Sequence, residues 1–338
     1  MKQQALALLF MFTLLPATAQ TGGDNTYEFL NLSHSAFAAA TGGITVSGNR
    51  DDLSLPYFNP ALLKGTMDNE VSLSFATWFA GINYGYASYA MHTESRGTFA
   101  GGLSFISYGR FTAADAAGNV TGTFSAAEYA FNIIWSLEID SSFTVGINLK
   151  PVLSHLERYF SAGLCVDLGA AYHNARLLLD AGLVIKNAGL QLKSYTGSGG
   201  EPLPFEISAG VTKRLAHAPF SFSMTVRHIE KPNLIHDYDT ADDRYAGGLG
   251  ENILKHIVVG VEVLPADAFW VGLGLNYQRR SEMRLQQSTG MAGFSAGFGF
   301  RTNSFELSYA HEAFHPAGGS NHLTVTLRPE YIIKKYIH

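Results

Sequence analysis

The stretch HEAFHPAGGSNH, residues 311–322, contains residue types that could do chemistry. His311, Glu312 and His315 form H-E-x-x-H, a pattern in which two histidines bind zinc and the glutamate acts as general base. The longer zinc-protease signature has further positions downstream, here near Gly318, Asn321 and His322. The spacing therefore raises the hypothesis of a zinc protease, provided that this stretch is a helix.

The flanking residues predict a strand instead. Residues 304–309, SFELSY, alternate between polar and apolar side chains, which places one set on each face of a strand. Pro316 cannot continue a helix past His315, and histidines four apart in a strand stand about 13 Å apart, too far for one zinc ion. We place the stretch in an external hairpin between the last two strands, with a weak adventitious metal site as the alternative. We expect no enzyme, no metal and no cofactor.

Composition and the first residues indicate a secreted or membrane protein. The chain has 338 residues and only 15% are charged, against about 25% in an average soluble domain. Lys2, an apolar run and Ala17-Thr18-Ala19 predict a signal peptide over residues 1–19. Cys165 is the single cysteine, so no intrachain disulfide can form. The net charge of −5 and scattered basic residues give no surface for nucleic acid.

Alternation with a period of two dominates from about residue 70. For example, Phe143, Val145, Ile147 and Leu149 alternate with Thr144, Gly146, Asn148 and Lys150. Fourteen such segments, each of roughly nine to fifteen residues, predict an all-β fold, a transmembrane antiparallel β-barrel over residues 70–331. A short periplasmic tail would follow at 332–338. A large secreted β-sandwich is the alternative.

The connections between these segments favour the barrel. Tight turns alternate with longer connections, as periplasmic turns alternate with external loops in outer-membrane barrels. The longer ones are predicted at 109–122, 188–202, 231–251 and 279–288, and between the last two strands. Glu206, Glu262 and Glu306 are expected to face the lumen and to contact the preceding segment or water.

Residues 20–69 precede the barrel and do not alternate. They contain many apolar residues: Phe29, Leu30, Leu32, Phe37, Ile44, Val46, Leu53, Leu55, Tyr57 and Phe58. A disordered segment is poor in such residues. We therefore expect these residues to fold into the lumen as a plug, with a disordered periplasmic tail as the alternative.

The run SAFAAATGGITVSGNRDDLSLPYFNPALL resembles the N-terminal signature of the FadL-like outer-membrane proteins. The matching positions are Gly42, Gly43, Asp51, Asp52, Asn59, Pro60, Ala61 and Leu62. That resemblance implies a fourteen-stranded barrel with an N-terminal plug (hatch). Within the family, TYEFLNLSHSAFAAATGG resembles the PorQ-like barrels of the type IX secretion system.

The PorQ-like resemblance implies attachment and not catalysis. Such a barrel would hold a PorZ-like surface protein in an attachment complex with a sortase-like PorU and a PorV-like barrel. Cargo of that system is linked to lipopolysaccharide, so outer-membrane lipid is an implied partner. The implied location is the outer membrane of a Gram-negative cell, with both termini periplasmic. The alternative function is a FadL-like transporter for hydrophobic compounds such as long-chain fatty acids.

The longest predicted external connection, residues 231–251, is the candidate surface for such a partner. It carries four aspartates and two tyrosines, and tyrosine is enriched at interfaces. The candidate contact residues are Asn233, His236, Asp237, Tyr238, Asp239, Asp242, Asp243 and Tyr245. A solvated loop without a partner is the alternative.

Overall fold

The computed structural model describes residues 25–197, 199–234, 248–266, 268–283, 290–315 and 318–330. The strands in these residues form one closed antiparallel barrel, in which sequence neighbours pair and the first strand pairs with the last. They are β1 (Val71–Thr77), β2 (Asn83–Thr93), β3 (Gly97–Ala114), β4 (Val120–Glu138), β5 (Phe143–Leu156), β6 (Tyr159–Asn174), β7 (Leu179–Lys193), β8 (Glu206–Arg214), β9 (Phe220–Val226), β10 (Ile257–Ala266), β11 (Phe269–Asn276), β12 (Phe294–Arg301), β13 (Phe305–His315) and β14 (Gly318–Leu327). The predicted fourteen-stranded barrel is confirmed.

The helices of the described residues are short. They are α1 (Ala36–Ala40), α2 (Leu249–Lys255) and α3 (Tyr277–Glu282), with single 3-10 turns at Glu28–Asn31, Leu55–Tyr57, Pro60–Leu62, Gly65–Met67 and Phe79–Gly81. None of these helices is long and apolar enough to span a membrane. The predicted signal peptide and the tail at 332–338 lie outside the described residues and stay predictions.

The period-two pattern separates the two faces of the wall. In β5, Ile147 and Leu149 are exposed on the outside, whereas Asn148 and Lys150 are fully buried on the inside. The outward residues of other strands are also large and apolar, among them Phe131, Ile133, Leu183, Leu273, Phe298 and Leu323. The apolar set therefore covers the outside of the barrel and the polar set lines its lumen.

The two ends of the barrel differ in their connections. At the end where β1 begins and β14 ends, here called the turn end, the six hairpins join through two to five residues. At the opposite end, the loop end, residues 194–205, 227–256 and 277–293 form long connections. This asymmetry confirms most of the predicted pattern of turns and loops.

Two predicted loops were wrong, because both are largely strand. Residues 109–122 continue β3 and β4 as a hairpin, with Thr112 paired to Thr123. The sequence pattern stops at Gly109, whose φ of 83° belongs to a bulge that shifts the register. The last connection is shorter still, because β13 runs to His315 and β14 begins at Gly318. Glu312, predicted to lie in that connection, lies in β13 and is fully buried on the inner face.

The described ends of the chain lie at opposite ends of the barrel. Thr26 N–H donates to Pro202 O, 2.9 Å away, in the loop after β7, so the start of the described chain is at the loop end. Leu327 pairs with Val71 at the turn end. The termini themselves, in residues 1–24 and 331–338, lie outside the described residues, so the expectation that both are periplasmic stays a prediction.

Because its side chain is buried inside the barrel, we predict that Cys165 is unreactive in the folded protein. Its side chain is buried in one cluster with Tyr27, Leu30 and Val152. We expect its reaction with a thiol reagent in mild detergent to be roughly 100-fold slower than in the unfolded chain, since reaction requires local opening. Cys165→Ser carrying Ser141→Cys, an exposed turn position, is the control that reacts at once. Fast labelling of native Cys165 would mean that the lumen is open there.

Candidate functional site

The candidate site is the contact between residues 25–69, here called the luminal segment, and the inner wall of the barrel. The segment starts at the loop end, and Arg50 and Lys64 lie near the turn end. Its buried apolar residues include Phe29, Leu30, Phe37, Val46, Leu53, Leu55, Tyr57, Phe58 and Leu63. The segment therefore occupies the space that a water-filled channel would need.

Helix α1 packs flat against the wall because the side chains that it turns toward the wall are small. Ala36, Ala38, Ala39 and Ala40 are fully buried, and Ala36 N–H donates to Thr324 Oγ1 at 2.9 Å. On the wall, a Cβ at Gly272 or Gly297 would lie 3.0 or 2.7 Å from Ala40 Cβ. Small residues on both sides let the two backbones approach closely.

Gly42 and Gly43 end this helix in conformations that favour glycine. Their φ angles are 108° and 95°, in the region that side chains disfavour. A Cβ at Gly42 would lie 2.4 Å from Val258 Cγ1, and one at Gly43 would lie 2.7 Å from Glu312 Oε1. Both motif glycines are thus required by backbone geometry and by lack of space.

Asn59, Pro60 and Ala61 form a second close contact with the wall. Asn59 Nδ2 donates to Val46 O at 2.8 Å, and its Oδ1 accepts from Ala61 N–H at 3.0 Å. Inward glycines of β5, β6 and β7 leave room for this turn; they are Gly146, Gly169 and Gly182. Leu62 follows and is buried.

The aspartate pair of the motif has two structural roles. Asp51 Oδ1 accepts from Lys64 Nζ at 3.2 Å and from Thr66 Oγ1 at 3.0 Å. Asp52 is buried and accepts from Ser54 N–H at 2.9 Å, which closes a local turn. Burial, followed by the charge of nearby Glu306, raises the pKa of the Asp52 carboxyl. Both aspartates hold the shape of the segment.

Arg50 makes the strongest charged contact between segment and wall. Its guanidinium donates to Glu262 at 2.6 Å and to Glu306 at 2.5 Å, while its Cζ lies 4.5 Å from the Phe37 ring and 4.9 Å from the Trp270 ring. The prediction that Glu262 and Glu306 face the lumen is confirmed, and so is their contact with the segment. Arg50 itself was missed, because nothing in the sequence pairs it with wall residues more than 200 positions away.

Further charges inside the wall are paired. Glu206, also predicted to face the lumen, accepts from Arg227 at 2.6 Å. Lys150 lies 2.7 Å from Asp167. Another pair joins Arg279 to Glu312 at 3.1 Å. Pairing offsets the cost of burying these charges.

The first two residues of the H-E-x-x-H pattern lie on opposite faces of β13. His311 is on the outer face of β13, whereas Glu312 is fully buried on the inner face. Glu312 Oε2 lies 3.2 Å from His322 Nε2, which is also near Ser320. The described residues contain no group of three or more His, Cys, Asp or Glu side chains placed to hold a metal.

Residues Gly293–Gly297 read G-x-S-x-G, a serine-hydrolase pattern that the sequence reading missed. A hydrolase would need its serine on a sharp strand-to-helix turn. Ser295 instead lies within β12, and its hydroxyl donates to Ala40 O at 3.1 Å. This serine is a contact of the luminal segment.

Of the candidate partner residues in 231–251, only Asn233 is described. It is exposed at the loop end, next to the buried Leu234. His236, Asp237, Tyr238, Asp239, Asp242, Asp243 and Tyr245 lie outside the described residues. The docking role of this loop stays a prediction.

Two of the cavities beside the luminal segment are lined by described residues. One of about 30 Å³ lies between Phe37, Arg50 and Glu262. The other, about 190 Å³, opens near the turn end and is lined by polar groups such as Lys64, Glu138, His173 and Asp180. A typical ligand pocket has about 300–1,000 Å³ and mostly apolar walls, so neither cavity resembles a hydrocarbon site.

No protein-family model and no curated protein matches the chain. Solved structures do. The toluene transporter TbuX of Ralstonia pickettii is 10% identical, with a TM-score of 0.53 over 88% of this chain and 98% of the transporter. The toluene transporter TodX of Pseudomonas putida is 10% identical, with a TM-score of 0.52 over 87% and 96%. A TodX deltaS2S3 mutant monoaromatic hydrocarbon channel is 11% identical, with a TM-score of 0.55 over 87% and 98%.

The chain has the fold of these transporters. This agrees with the FadL-like barrel that the N-terminal signature implies. At such low identity the similarity establishes the fold only. Substrate and partners have to be inferred from the residues of the site itself. The proteins it resembles are transporters and channels, not enzymes.

The position of Arg50 predicts a large effect of its removal. Arg50→Met leaves the half-buried Glu262 without its hydrogen-bonded cation, and since breaking a fully buried pair costs about 3–5 kcal/mol, we expect a smaller loss here. We expect a lower midpoint of thermal unfolding and faster trypsin cleavage after Lys64. Arg158→Met is the matched control, because Arg158 is an exposed residue that bonds only the adjacent Tyr159 hydroxyl among described residues. Equal effects of the two changes would refute a locking role for Arg50.

The wall glycines generate a second prediction. A Cβ at Gly182 would lie 1.8 Å from Val46 O, whereas one at Gly101 would meet nothing within 4 Å. We expect Gly182→Ala to destabilise docking of the segment by about 1–3 kcal/mol through overpacking, and Gly101→Ala to have little effect. Trypsin cleavage at Arg50 and Lys64 measures docking. Full protection in Gly182→Ala would contradict the close approach.

Proposed function

We propose that this chain is an outer-membrane barrel that works with its lumen closed, as an anchor for other proteins at the cell surface. The observation that carries this proposal is the filled lumen. Because close glycine contacts and the Arg50 ion pairs fix the luminal segment, the segment and the barrel form one rigid body. Such a body suits holding a partner better than moving a substrate.

The apolar outer wall supports the membrane location. Large apolar residues such as Phe298 and Leu323 cover the outside. Among β structures, only a closed barrel lets every strand form its backbone hydrogen bonds in lipid. Short turns face the periplasm in such barrels. In that orientation the loop end, together with the start of the described chain at Thr26, faces outward.

The partners follow from the PorQ-like resemblance of residues 26–43. They are a PorZ-like surface protein held by the barrel, with a sortase-like PorU, a PorV-like barrel and lipopolysaccharide in the same attachment complex. The chain would contribute position and orientation, and its partners would contribute the chemistry. This role requires no cofactor.

A second candidate is transport of hydrophobic compounds. The comparisons favour this function over attachment, because TbuX and TodX are named as toluene transporters. Transport would require the luminal segment to move, since the cavities of about 30 and 190 Å³ give no apolar route. The filled lumen therefore favours the anchor function, whereas the similarity of the fold to toluene transporters favours the transport function.

One purification separates the two functions. The tagged protein is isolated from its own outer membrane in mild detergent and analysed by mass spectrometry for proteins and for bound lipids or hydrocarbons. For an anchor, we expect a surface protein and sortase-like components in near-stoichiometric amounts.

Recovery of the barrel alone, with a long-chain fatty acid or aromatic hydrocarbon bound, would overturn the anchor and support the transporter. Uptake of radiolabelled toluene and oleate by cells with and without the gene is the control. An anchor leaves both rates unchanged, whereas a transporter lowers at least one of them when the gene is absent.

A further inference from the structure

Two basic residues reach the outer face of the barrel at the loop end because of β-bulges. The register of β3 against β4 shifts between Ser107 and Arg110, and Arg110 then lies opposite Ser125 on the outer face. The register of β6 against β7 shifts just before Lys193, which lies opposite the outward Ala162. Strict alternation would have placed both basic side chains on the inner face, so the two bulges turn them outward.

A third basic side chain lies between these two, on the outer face of β5. His155 is exposed and lies directly opposite Phe160 of β6. Lys193 Nζ lies 4.9 Å from the centroid of the same Phe160 ring, and a cation over an aromatic ring is favourable. Phe160 therefore joins His155 and Lys193 across three strands. Arg110, His155, Phe160 and Lys193 are here called the outer basic face.

The three basic residues lie at nearly one height along the barrel axis. They occupy every second strand, so their backbones are about 10 Å apart by strand spacing. Followed through the paired residues, the position falls by two residues from Arg110 to His155 and by two more to Lys193. Tilted barrel strands require such a shift at constant height, and the hairpin turns at the turn end shift in the same direction.

This height is where the apolar band of the outer wall ends. On β5 every outward residue from Phe143 to Leu153 is apolar, and His155 is the next outward residue. With a rise of about 3.3 Å per residue and a tilt of about 40°, this run is about 25 Å tall, which is the height of the apolar band in outer-membrane barrels. On β7, Leu190 is 58% exposed and Lys193 follows it. The basic residues therefore lie at the level of the lipid headgroups.

The charges of the outer basic face are not neutralised by the described part of the chain. Arg110, His155 and Lys193 form no ion pair with a described carboxylate. Glu157 lies nearby in the β5–β6 turn, but the charge of the adjacent Arg158 offsets it. Arginine and lysine form strong hydrogen bonds with phosphate oxygens, and basic clusters at a membrane surface attract anionic lipids. The complementary partner at this height is therefore an anionic headgroup.

We propose that the outer basic face binds the phosphate groups of anionic lipid headgroups in the leaflet around the loop end. Arg110 and Lys193 donate to phosphate oxygens, and the apolar residues directly below contact the acyl chains. An acidic protein fits this face less well, because the face looks into the bilayer from directly above the apolar band. This inference rests on the proposed outer-membrane location and does not depend on the anchor role.

The test measures lipid binding to the protein in neutral detergent by native mass spectrometry. The probes are dioleoyl phosphatidic acid and dioleoylglycerol, which have the same acyl chains and differ in the phosphate. The double variant Arg110→Gln/Lys193→Gln removes two charges of the outer basic face. The control Arg96→Gln/Arg176→Gln removes two exposed charges at the turn end. Heat-dependent migration in gels verifies that each barrel is folded.

We expect the wild-type protein to bind phosphatidic acid about tenfold or more tightly than dioleoylglycerol, because only the former carries a phosphate. The double variant should lose most of this preference, with binding of phosphatidic acid weakened by about 10- to 30-fold. Lys193→Gln alone should give an intermediate loss. The control variant should bind phosphatidic acid like the wild type.

Equal binding of the two lipids, or equal losses in the double variant and the control, would show that this face has no phosphate site. Displacement of phosphatidic acid by millimolar inorganic phosphate would assign the face to a soluble anion and overturn the lipid. These results would leave the anchor function standing. Failure of the barrel to insert into phosphatidylcholine vesicles would overturn the membrane location and this inference with it.

Discussion

The lumen of a closed fourteen-stranded barrel is too wide for its inward side chains alone to fill. In this protein the remaining space is taken by the luminal segment, which has to lie against a wall of backbone and polar groups. Glycines of the wall meet it at several places, among them Gly272 and Gly297 under Ala40, Gly146 and Gly169 under the Asn59 turn, and Gly182 beside Val46. Close packing at these places lets a short irregular segment stay fixed inside a barrel.

The luminal segment also pairs with charged side chains of the wall. A polar lumen contains buried carboxylates, and each needs a cation or hydrogen-bond donors beside it. Arg50 supplies a cation for Glu262 from the segment and shares Glu306 with Arg301 of the wall, so docking of the segment completes the neutralisation of these two carboxylates. Where the wall pairs its own charges, as for Arg227 and Glu206, docking does not depend on them.

The sequence predicted the barrel well because alternation is a local signal. The apolar Ile147 and the polar Asn148 indicate which face of the strand each occupies, without reference to distant residues. The same locality explains the errors. Gly109 interrupts the pattern although the hairpin continues, and residues 311–322 were predicted as an external connection although β13 runs to His315.

The candidate site was predicted only in part, for the same reason. The motif glycines and aspartates were recognised by their spacing, but their structural roles depend on contacts such as Gly42 with Val258. No local sequence pattern marks Arg50, and its contacts with Glu262 and Glu306 exist only in the closed barrel. The outward positions of Arg110 and Lys193 likewise follow from register shifts between paired strands, which alternation alone does not reveal.

The central claim is that the luminal segment closes the barrel under resting conditions. Ion conductance of the purified protein in planar lipid bilayers tests it most directly. A filled lumen predicts no steady conductance steps in the wild-type protein. Regular, long-lived steps like those of a water-filled porin would contradict the claim, because they would require a continuous path past Arg50 and the Asn59 turn.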